Sequence, residues 1–324
     1  MTKKISRAIA VLCTLAITFT LCSCSDTSWS IKVNNEKVPA GMYIYFLLSV
    51  SSSIKNNATS SDPWSQKIEN QDAITYAKDQ AVKYASEFVI IENLCKKEKI
   101  TLTSSEKSAA DSQGQQTYSG SSSTFTNNGI SQASINRITE DYSLANKLYT
   151  KYYGDKGTKT ITDEALKKYE ADYICVKHIF FSDKDDSSNK LTGAALTAVT
   201  KKVNDVLAQV QKDPSKFDEL MKKYTQDSGG LQQYPNGYTF KKDSTQYVKE
   251  FVSGANSMKV GEIKLITSSY GYHIMHRIDL DKTTMKTQYG QELFQKLIDN
   301  EVSKAKIVRN QTTINAYNPK TLKS

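Results

Sequence analysis

Histidine is scarce in this 324-residue chain, which has only three, and several familiar functional signatures are missing altogether. The sequence contains no Walker loop, no Gly-x-Ser-x-Gly elbow and no zinc-ligand spacing. The acidic run at 183–186 lacks the spacing of an EF-hand, so we interpret it as a solvated loop and expect no metal. The net charge of +9 is not concentrated in a basic patch with aromatic residues, which argues against nucleic-acid binding. Any catalytic site is therefore expected to work without a metal or a cofactor.

The N-terminus has no run long enough for a membrane span, but it has the layout of an export signal. Three basic residues precede an apolar run at 8–21, which is too short to cross a bilayer comfortably. The run leads into Leu21-Cys22-Ser23-Cys24, which resembles a bacterial lipobox. Cys24 fits better than Cys22 because a small residue precedes it. We predict a signal peptide at 1–23, lipidation at Cys24 and a location on the outer face of the bacterial cytoplasmic membrane. An ordinary signal peptide with incidental cysteines is the alternative.

Two further cysteines, Cys95 and Cys175, belong to the exported part of the chain. Both lie in apolar runs, which favours buried thiols. Their spacing leaves a disulfide between them open.

Apolar periodicity divides the exported chain into three parts. Residues 24–170 show helical spacing, most securely at 73–98. Within them, residues 103–129 are rich in Ser, Gln, Thr and Asn, a composition typical of a disordered linker. Residues 171–281 combine one strand, several helices and then antiparallel strands, which predicts an α+β domain. Residues 282–324 return to polar helix, which we expect to pack on the N-terminal helices.

The three histidines lie in two strand-like runs that are about a hundred residues apart. His178 lies in the run 173–181, and His273 and His276 lie in the run 270–277. Two histidines on paired strands would form a neutral hydrogen-bonding core for a site with no metal and no nucleophile. Because His273 and His276 are three residues apart, they face opposite sides of a strand. We therefore expect His276 on the surface, with no role in the site.

Further motifs lie between and around these runs, namely Asp227-Ser228-Gly229-Gly230-Leu231, Gly261-Glu262-Ile263 and Gly271-Tyr272-His273-Ile274. Their order over residues 171–281 resembles the parvulin family of peptidyl-prolyl cis/trans isomerases. The signal and the helical flanks are similar to those of extracytoplasmic foldases of the PrsA group. The resemblance implies a parvulin-like domain, with an antiparallel sheet and surrounding helices, inserted between helical N- and C-terminal segments that form a chaperone domain. For residues 103–129 it favours a weak helix followed by a loop.

The resemblance also implies the parts of a site. His178 and His273 match the paired strand histidines of the family, and Asp227 matches the residue beside the substrate amide. Ser268 matches a hydroxyl that supports the histidines. The implied proline pocket and its rim comprise Leu231, Tyr234, Thr239, Phe240 and Phe251.

Two features depart from the family pattern. The usual Gly-Gly-Asp-Leu-Gly turn is Gly229-Gly230-Leu231-Gln232-Gln233, and an apolar residue expected before Gly261 is Asn256. We therefore expect an altered rim and floor of the pocket.

Three functional hypotheses follow from these features. The first is a membrane-anchored foldase that isomerises X–Pro bonds in unfolded secreted polypeptides. The second is a holdase chaperone whose parvulin domain is inactive. The third is a solute-binding or adhesive surface lipoprotein, for which the sequence has too little strand–helix alternation. The N-terminal helices could also mediate a homodimer.

Overall fold

The computed structural model describes residues 28–58 and 60–323, and the chain divides into two compact units. One unit falls within Met1–Thr160 and Gln291–Ser324, and the other is Ile161–Gly290. The central unit therefore begins ten residues before the predicted boundary at 170/171 and ends nine residues after the one at 281/282. The predicted signal segment and Cys24 lie outside the described residues.

Helices and strands are numbered in chain order. They are β1 (Trp29–Val33), β2 (Glu36–Pro39), α1 (Ala40–Asn56), β3 (Lys67–Ile68), β4 (Gln71–Asp72), α2 (Ala73–Lys97), α3 (Ser104–Gly120), α4 (Ser122–Asn127), α5 (Gln132–Tyr153), α6 (Asp163–Glu170), β5 (Tyr173–Ser182), α7 (Gly193–Lys212), α8 (Phe217–Tyr224), α9 (Ser228–Gln233), β6 (Tyr238–Lys241), α10 (Lys249–Asn256), β7 (Ile263–Ser268), β8 (Gly271–Ile278), α11 (Lys282–Lys304), β9 (Ile307–Arg309) and α12 (Gln311–Ala316). None of the helices in the described ranges combines the length and the apolar character that a membrane crossing requires.

The first unit has a three-stranded antiparallel sheet in the order β2-β1-β9 and long helices. Asn34 and Asn35 form the β1–β2 turn with φ angles of 49° and 74°, a left-handed conformation that asparagine tolerates. The Asp72 carboxylate caps α2 by accepting the Thr75 N–H at 2.9 Å. In the C-terminal segment, the Asp299 carboxylate on α11 pairs with Lys83 on α2 at 2.9 Å.

Residues 103–129 are helical over most of their length, as the resemblance favoured, and do not form the disordered linker that their composition alone allowed. Thr103 and Glu106 form a capping box at the start of α3, so two backbone N–H groups find partners without help from apolar residues. The Glu106 carboxylate also pairs with Lys147 on α5 at 2.6 Å. Gly114 permits close approach of the two helices, because a Cβ there would lie 2.9 Å from the Thr139 hydroxyl oxygen. The loop expected after α3 contains the short helix α4.

The second unit has a four-stranded antiparallel sheet in the order β6-β5-β8-β7, which confirms the α+β prediction. Helix α6 belongs to this unit because the Tyr169 and Tyr173 hydroxyl oxygens lie 2.9 Å apart. The Tyr169 ring also stacks on Tyr289, with 4.4 Å between ring centroids. These contacts explain why the unit is longer at both ends than the sequence indicated.

The two faces of this sheet bury different clusters. Ile179 and Phe181 on β5 pack with apolar residues of α7 and α8 on one face. Ile174 and Val176 lie on the other face, in a cluster with the aromatic side chains of β6 and with α10. His178 follows the same alternation as Val176, so strand geometry directs its ring towards the aromatic face.

Cys95 and Cys175, in the part of the chain that the structure describes, are free thiols, and both are buried. Burial raises the pKa of each thiol above its ordinary value. The expectation of buried thiols is therefore confirmed.

Candidate active site

Strands β5 and β8 bring two imidazole rings into contact. His273 pairs in register with Phe180, two residues beyond His178, so the two histidines are diagonal neighbours on one face. Their Nδ1 atoms lie 3.1 Å apart, and the rings stack with centroids 5.3 Å apart. Both side chains are buried.

The carboxylate of Asp227 lies at one end of this pair and the hydroxyl of Ser268 at the other. Asp227 Oδ2 is 3.1 Å from His178 Nε2, and Ser268 Oγ is 2.8 Å from His273 Nε2. Asp227 also caps the short helix α9, because its Oδ1 accepts the Gly230 N–H at 3.0 Å. The four predicted residues therefore form one continuous hydrogen-bonded chain. Asp227, one-third exposed at its side chain, is its accessible end.

A single arrangement of protons satisfies every member of this chain when both rings are neutral. His178 Nε2–H donates to Asp227, and the unprotonated Nδ1 of His178 accepts from His273 Nδ1–H. The Ser268 O–H then donates to His273 Nε2, while Ser268 Oγ accepts the Tyr270 N–H at 3.1 Å. The network therefore fixes both tautomers.

Electrostatics agree with this arrangement. The hydrogen bond from His178 holds the pKa of Asp227 well below its usual range, helped by Tyr238 and the Gly230 N–H. Burial, together with the neighbouring His178, lowers the pKa of His273 to about 4. At neutral pH the site therefore presents an ionised Asp227 carboxylate bonded to His178, with a neutral His273 ring behind it.

Tyr238 belongs to the site, and the sequence analysis missed it. Its hydroxyl donates a short hydrogen bond to Asp227 Oδ2, the oxygen that also faces His178. Its ring meets His178 edge-on, with centroids 5.0 Å apart. Burial, followed by the adjacent Asp227 carboxylate, raises the pKa of Tyr238. The alternation of Tyr238 and Phe240 could have indicated that both side chains lie on the buried face of a strand. The sequence analysis did not recognise this four-residue strand, β6.

The predicted pocket residues are only partly brought together. Phe240 and Phe251 lie on the aromatic face, each 4 % exposed. Leu231 and Tyr234 line a small cavity beside Asp227. Thr239 was expected in the same pocket, and this is wrong, because alternation along β6 turns it away. Thr239 instead lines a cleft of about 630 Å³ with Cys175, which is its partner in the strand register.

The cavity beside Asp227 is very small. It measures about 10 Å³ and is lined by Lys177, His178, Met221, Thr225, Asp227, Leu231, Tyr234, Gly237 and Tyr238. This volume is about enough for one water molecule. The aromatic rings of Tyr238, Phe240, Tyr247 and Phe251 pack against one another on its far side.

Gly230 keeps the family residue whereas Asn256 departs from it, and each position has a structural explanation. Gly230 is required where it stands, because a Cβ there would overlap the Tyr238 hydroxyl and lie 2.7 Å from Asp227 Cγ. Asn256 is exposed and donates to the Lys242 carbonyl at 2.8 Å, while Met258 fills the buried position beneath the aromatic cluster.

His276 faces away from His273, as predicted, but it is not a free surface residue. Its ring packs on Phe217 with centroids 5.1 Å apart, and burial lowers its pKa. Within residues 28–58 and 60–323, no three His, Cys, Asp or Glu side chains are grouped as they would be around a metal ion.

Comparison with known proteins identifies the class of this domain. Residues 178–279 match the rotamase family, described as the PPIC-type PPIASE domain. This part of the chain is a parvulin-type peptidyl-prolyl isomerase domain, and it contains His178, Asp227, Ser268 and His273.

The particular proteins that the chain resembles are foldases. The foldase protein PrsA of Staphylococcus aureus (strain Newman) is 34 % identical over 146 residues, which are 44 % of this chain and 42 % of that protein. The chain thus matches less than half the length of this curated relative. Among solved structures, PrsA from Bacillus subtilis matches with 20 % identity over 77 % of this chain and 89 % of that one, at a TM-score of 0.33. A SurA-like chaperone from Campylobacter jejuni matches with 16 % identity over 90 % of this chain and 98 % of that one, at a TM-score of 0.25.

Proposed function

We propose that this chain is an extracytoplasmic foldase whose second unit catalyses cis/trans isomerisation of X–Pro bonds in unfolded secreted polypeptides. The observation that carries the proposal is the hydrogen-bonded chain from Ser268 through His273 and His178 to Asp227, within a parvulin-type domain. The similarity to curated foldases over 146 residues supports the assignment of the whole chain.

The reaction needs no covalent intermediate. An amide resists rotation because conjugation gives its C–N bond partial double-bond character, and the barrier is about 18–20 kcal/mol. Conjugation also places negative charge on the carbonyl oxygen, and twisting removes part of it. A fixed negative charge beside that oxygen therefore disfavours the planar amide more than the twisted one. Such a difference between ground state and transition state is what lowers a barrier.

Each member of the chain has a part in this proposal. Asp227 supplies the fixed charge, because its depressed pKa keeps it ionised and one-third of its side chain reaches solvent. His178 and His273, with Ser268 behind them, hold the carboxylate in place and act as positioning residues. Because the network is already assembled in the free protein, little reorganisation accompanies the reaction.

The proposed isomerase activity can be tested with a refolding assay. The client is a secreted protein whose slow refolding phase is X–Pro isomerisation. The full chain should accelerate that phase, and Asp227→Asn should reduce the acceleration by about a hundredfold to a thousandfold, the range for removing one preorganised electrostatic contact. The matched control is Asp218→Asn, which removes an exposed carboxylate that pairs with Lys177 at 2.8 Å outside the network. A slow phase that the folded wild-type chain leaves unchanged would exclude catalysis.

A holdase with an inactive parvulin domain is the second candidate, and a specific observation favours it. The cavity beside Asp227 is too small for a proline ring, whereas the first unit has an apolar cavity of about 360 Å³ that includes Tyr45, Leu48 and Phe125. Suppression of client aggregation should then survive the double change His178→Ala and Asp227→Ala. Loss of protection in that variant would reject the holdase.

The proposal also includes attachment to the membrane, for which the support is the amino-acid sequence alone. Lipidation at Cys24 would hold the chain on the outer face of the bacterial cytoplasmic membrane. Metabolic labelling with a fatty-acid analogue should label the wild-type chain and not Cys24→Ala, and labelling of both would reject the site. Self-association as a homodimer stays a prediction, which sedimentation of the exported chain would test.

A further inference from the structure

We propose that Tyr238 is the gate of the proline site. In this view, which rests on the proposed function, its ring fills the notch bounded by His178, Asp227 and Phe251, and a client proline can bind only when the ring leaves. The hydroxyl bond to Asp227 holds the gate closed. Tyr238 thereby sets the affinity of the site for X–Pro segments.

The ring of Tyr238 occupies the position of a bound ligand. It meets His178 edge-on at 5.0 Å and Phe251 edge-on at 6.0 Å between centroids, and Tyr234 covers it from outside at 4.7 Å. Only 9 % of Tyr238 is exposed. An apolar ring is thus held between aromatic walls next to the ionised Asp227 carboxylate.

The space left beside this ring excludes a substrate. The adjoining cavity of about 10 Å³ holds about one water molecule, whereas a pyrrolidine ring has five heavy atoms. Phe240 and Phe251, the aromatic residues expected to grip the proline, are each 4 % exposed. A client therefore cannot contact them until Tyr238 moves.

The closed position is stabilised by a specific bond. The Tyr238 O–H donates to an ionised carboxylate, and hydrogen bonds to charged groups are stronger than neutral ones. Gly230 permits this contact, because any larger residue would overlap the hydroxyl. The client must therefore compete with an internal partner for both the notch and Asp227.

The position of Tyr238 in the fold allows it to move. Strand β6 has four residues and lies at the edge of the sheet, where β5 is its one partner among the strands of the described residues. Gly237 immediately precedes the tyrosine with φ of +107°, and residues 234–236 are exposed. Short edge segments with few partners open at low cost compared with global unfolding.

The test compares Tyr238→Phe and Tyr238→Leu in the full chain, with Tyr142→Phe as the control. Phenylalanine keeps the ring but removes the bond to Asp227, and leucine also empties much of the notch. Tyr142 belongs to the first unit and is 50 % exposed, so loss of its hydroxyl should not affect the site. The probe is an Ala-Ala-Pro-Phe peptide, with its affinity measured by NMR titration and its isomerisation measured as kcat and KM.

We expect Tyr238→Phe to bind the peptide about tenfold more tightly, the factor for removing one competing hydrogen bond to a charged acceptor. KM should fall accordingly, and kcat should change little. A fall in kcat with unchanged affinity would instead make the hydroxyl a catalytic donor and overturn the gate. Equal affinity in wild type and both variants would also overturn it.

A separate readout distinguishes failure of the gate from failure of the proposed function. 3-Fluorotyrosine incorporated at position 238 should give a ¹⁹F resonance of a buried ring that shifts to an exposed one as the peptide is added. This response, together with tighter binding by Tyr238→Phe, would support the gate even if no variant accelerates isomerisation. A resonance that stays unchanged while the peptide binds would reject it. If Tyr238→Leu does not fold, these two measurements decide the question.

Discussion

Replacing Gly230 by alanine should damage the site far more than the same change one residue earlier. A Cβ at position 230 would overlap the Tyr238 hydroxyl and lie 2.7 Å from Asp227 Cγ, against at least 3.4 Å for an ordinary contact. A Cβ at position 229 would meet nothing within 4 Å. Both glycines lie in α9, so the backbone effect of alanine is matched between the two variants.

The size of the stability difference follows from comparing the two variants, Gly229→Ala and Gly230→Ala. Alanine in place of a helical glycine contributes about 0.5–1 kcal/mol of backbone stabilisation. Overpacking costs about 1–3 kcal/mol. Gly229→Ala should therefore be neutral or slightly stabilising, and Gly230→Ala should be less stable than Gly229→Ala by about 1–3 kcal/mol. The excess comes from displacing the Asp227 carboxylate from its place beside His178, because the new Cβ would overlap Asp227 Oδ2.

Urea unfolding of the full chain, followed by tyrosine fluorescence and by NMR signals of the second unit, measures this difference. Isomerisation of an X–Pro peptide should also be impaired in Gly230→Ala and unchanged in Gly229→Ala. Equal stability and equal activity of the two variants would refute the geometry assigned to Asp227, Gly230 and Tyr238.

Two further predictions concern pH. Burial lowers the pKa of His273 to about 4, from its ordinary value of 6.5. The stabilisation that depends on its neutral ring is therefore complete above pH 6.5 and is lost as the pH falls from 6.5 towards 4. Wild type should therefore lose about 3 kcal/mol more than His273→Gln between pH 6.5 and 4 in urea titrations, and parallel pH profiles would contradict this. In the first unit, burial and then the neighbouring Glu92 carboxylate raise the pKa of Asp141, so the folded carboxyl is costly to ionise. Asp141→Asn should therefore stabilise that unit more at pH 7 than at pH 4, and a gain independent of pH would count against it.

The extent to which sequence reasoning succeeded depends on how local the signal is. His178 and His273 could be paired because each lies in a long strand with a clear period of two, and register then brings the rings together. Asp227 could be placed because it follows a helix and precedes two glycines. These signals are contained within short segments of the chain.

Tyr238 and Thr239 show where such reasoning fails. A four-residue strand is too short to reveal its own alternation, so the inward and outward residues of β6 could not be distinguished. The hydrogen bond between Tyr238 and Asp227 joins residues eleven positions apart across a turn. Only the folded backbone shows that Tyr238 occupies the notch and that Thr239 lies on the other face.

The polar segment that forms α3 illustrates a different limit. Its composition is typical of disorder, but the capping box at Thr103 and Glu106 and the packing of Gly114 against α5 stabilise a helix. The capping pattern was readable in the sequence, whereas the close helix contact was not. The compact unit extends beyond the predicted bounds for a similar reason, because the Tyr169–Tyr289 stack joins residues far apart in the chain.

Exchange spectroscopy on an X–Pro peptide tests the central claim most directly, because it measures the rate of cis/trans interconversion at equilibrium. With a catalytic amount of the full chain, exchange cross-peaks should grow faster than in its absence, and Asp227→Asn should return most of that rate to the uncatalysed value. A folded wild-type chain that leaves the exchange rate unchanged, or an Asp227→Asn variant that matches wild type, would contradict the account.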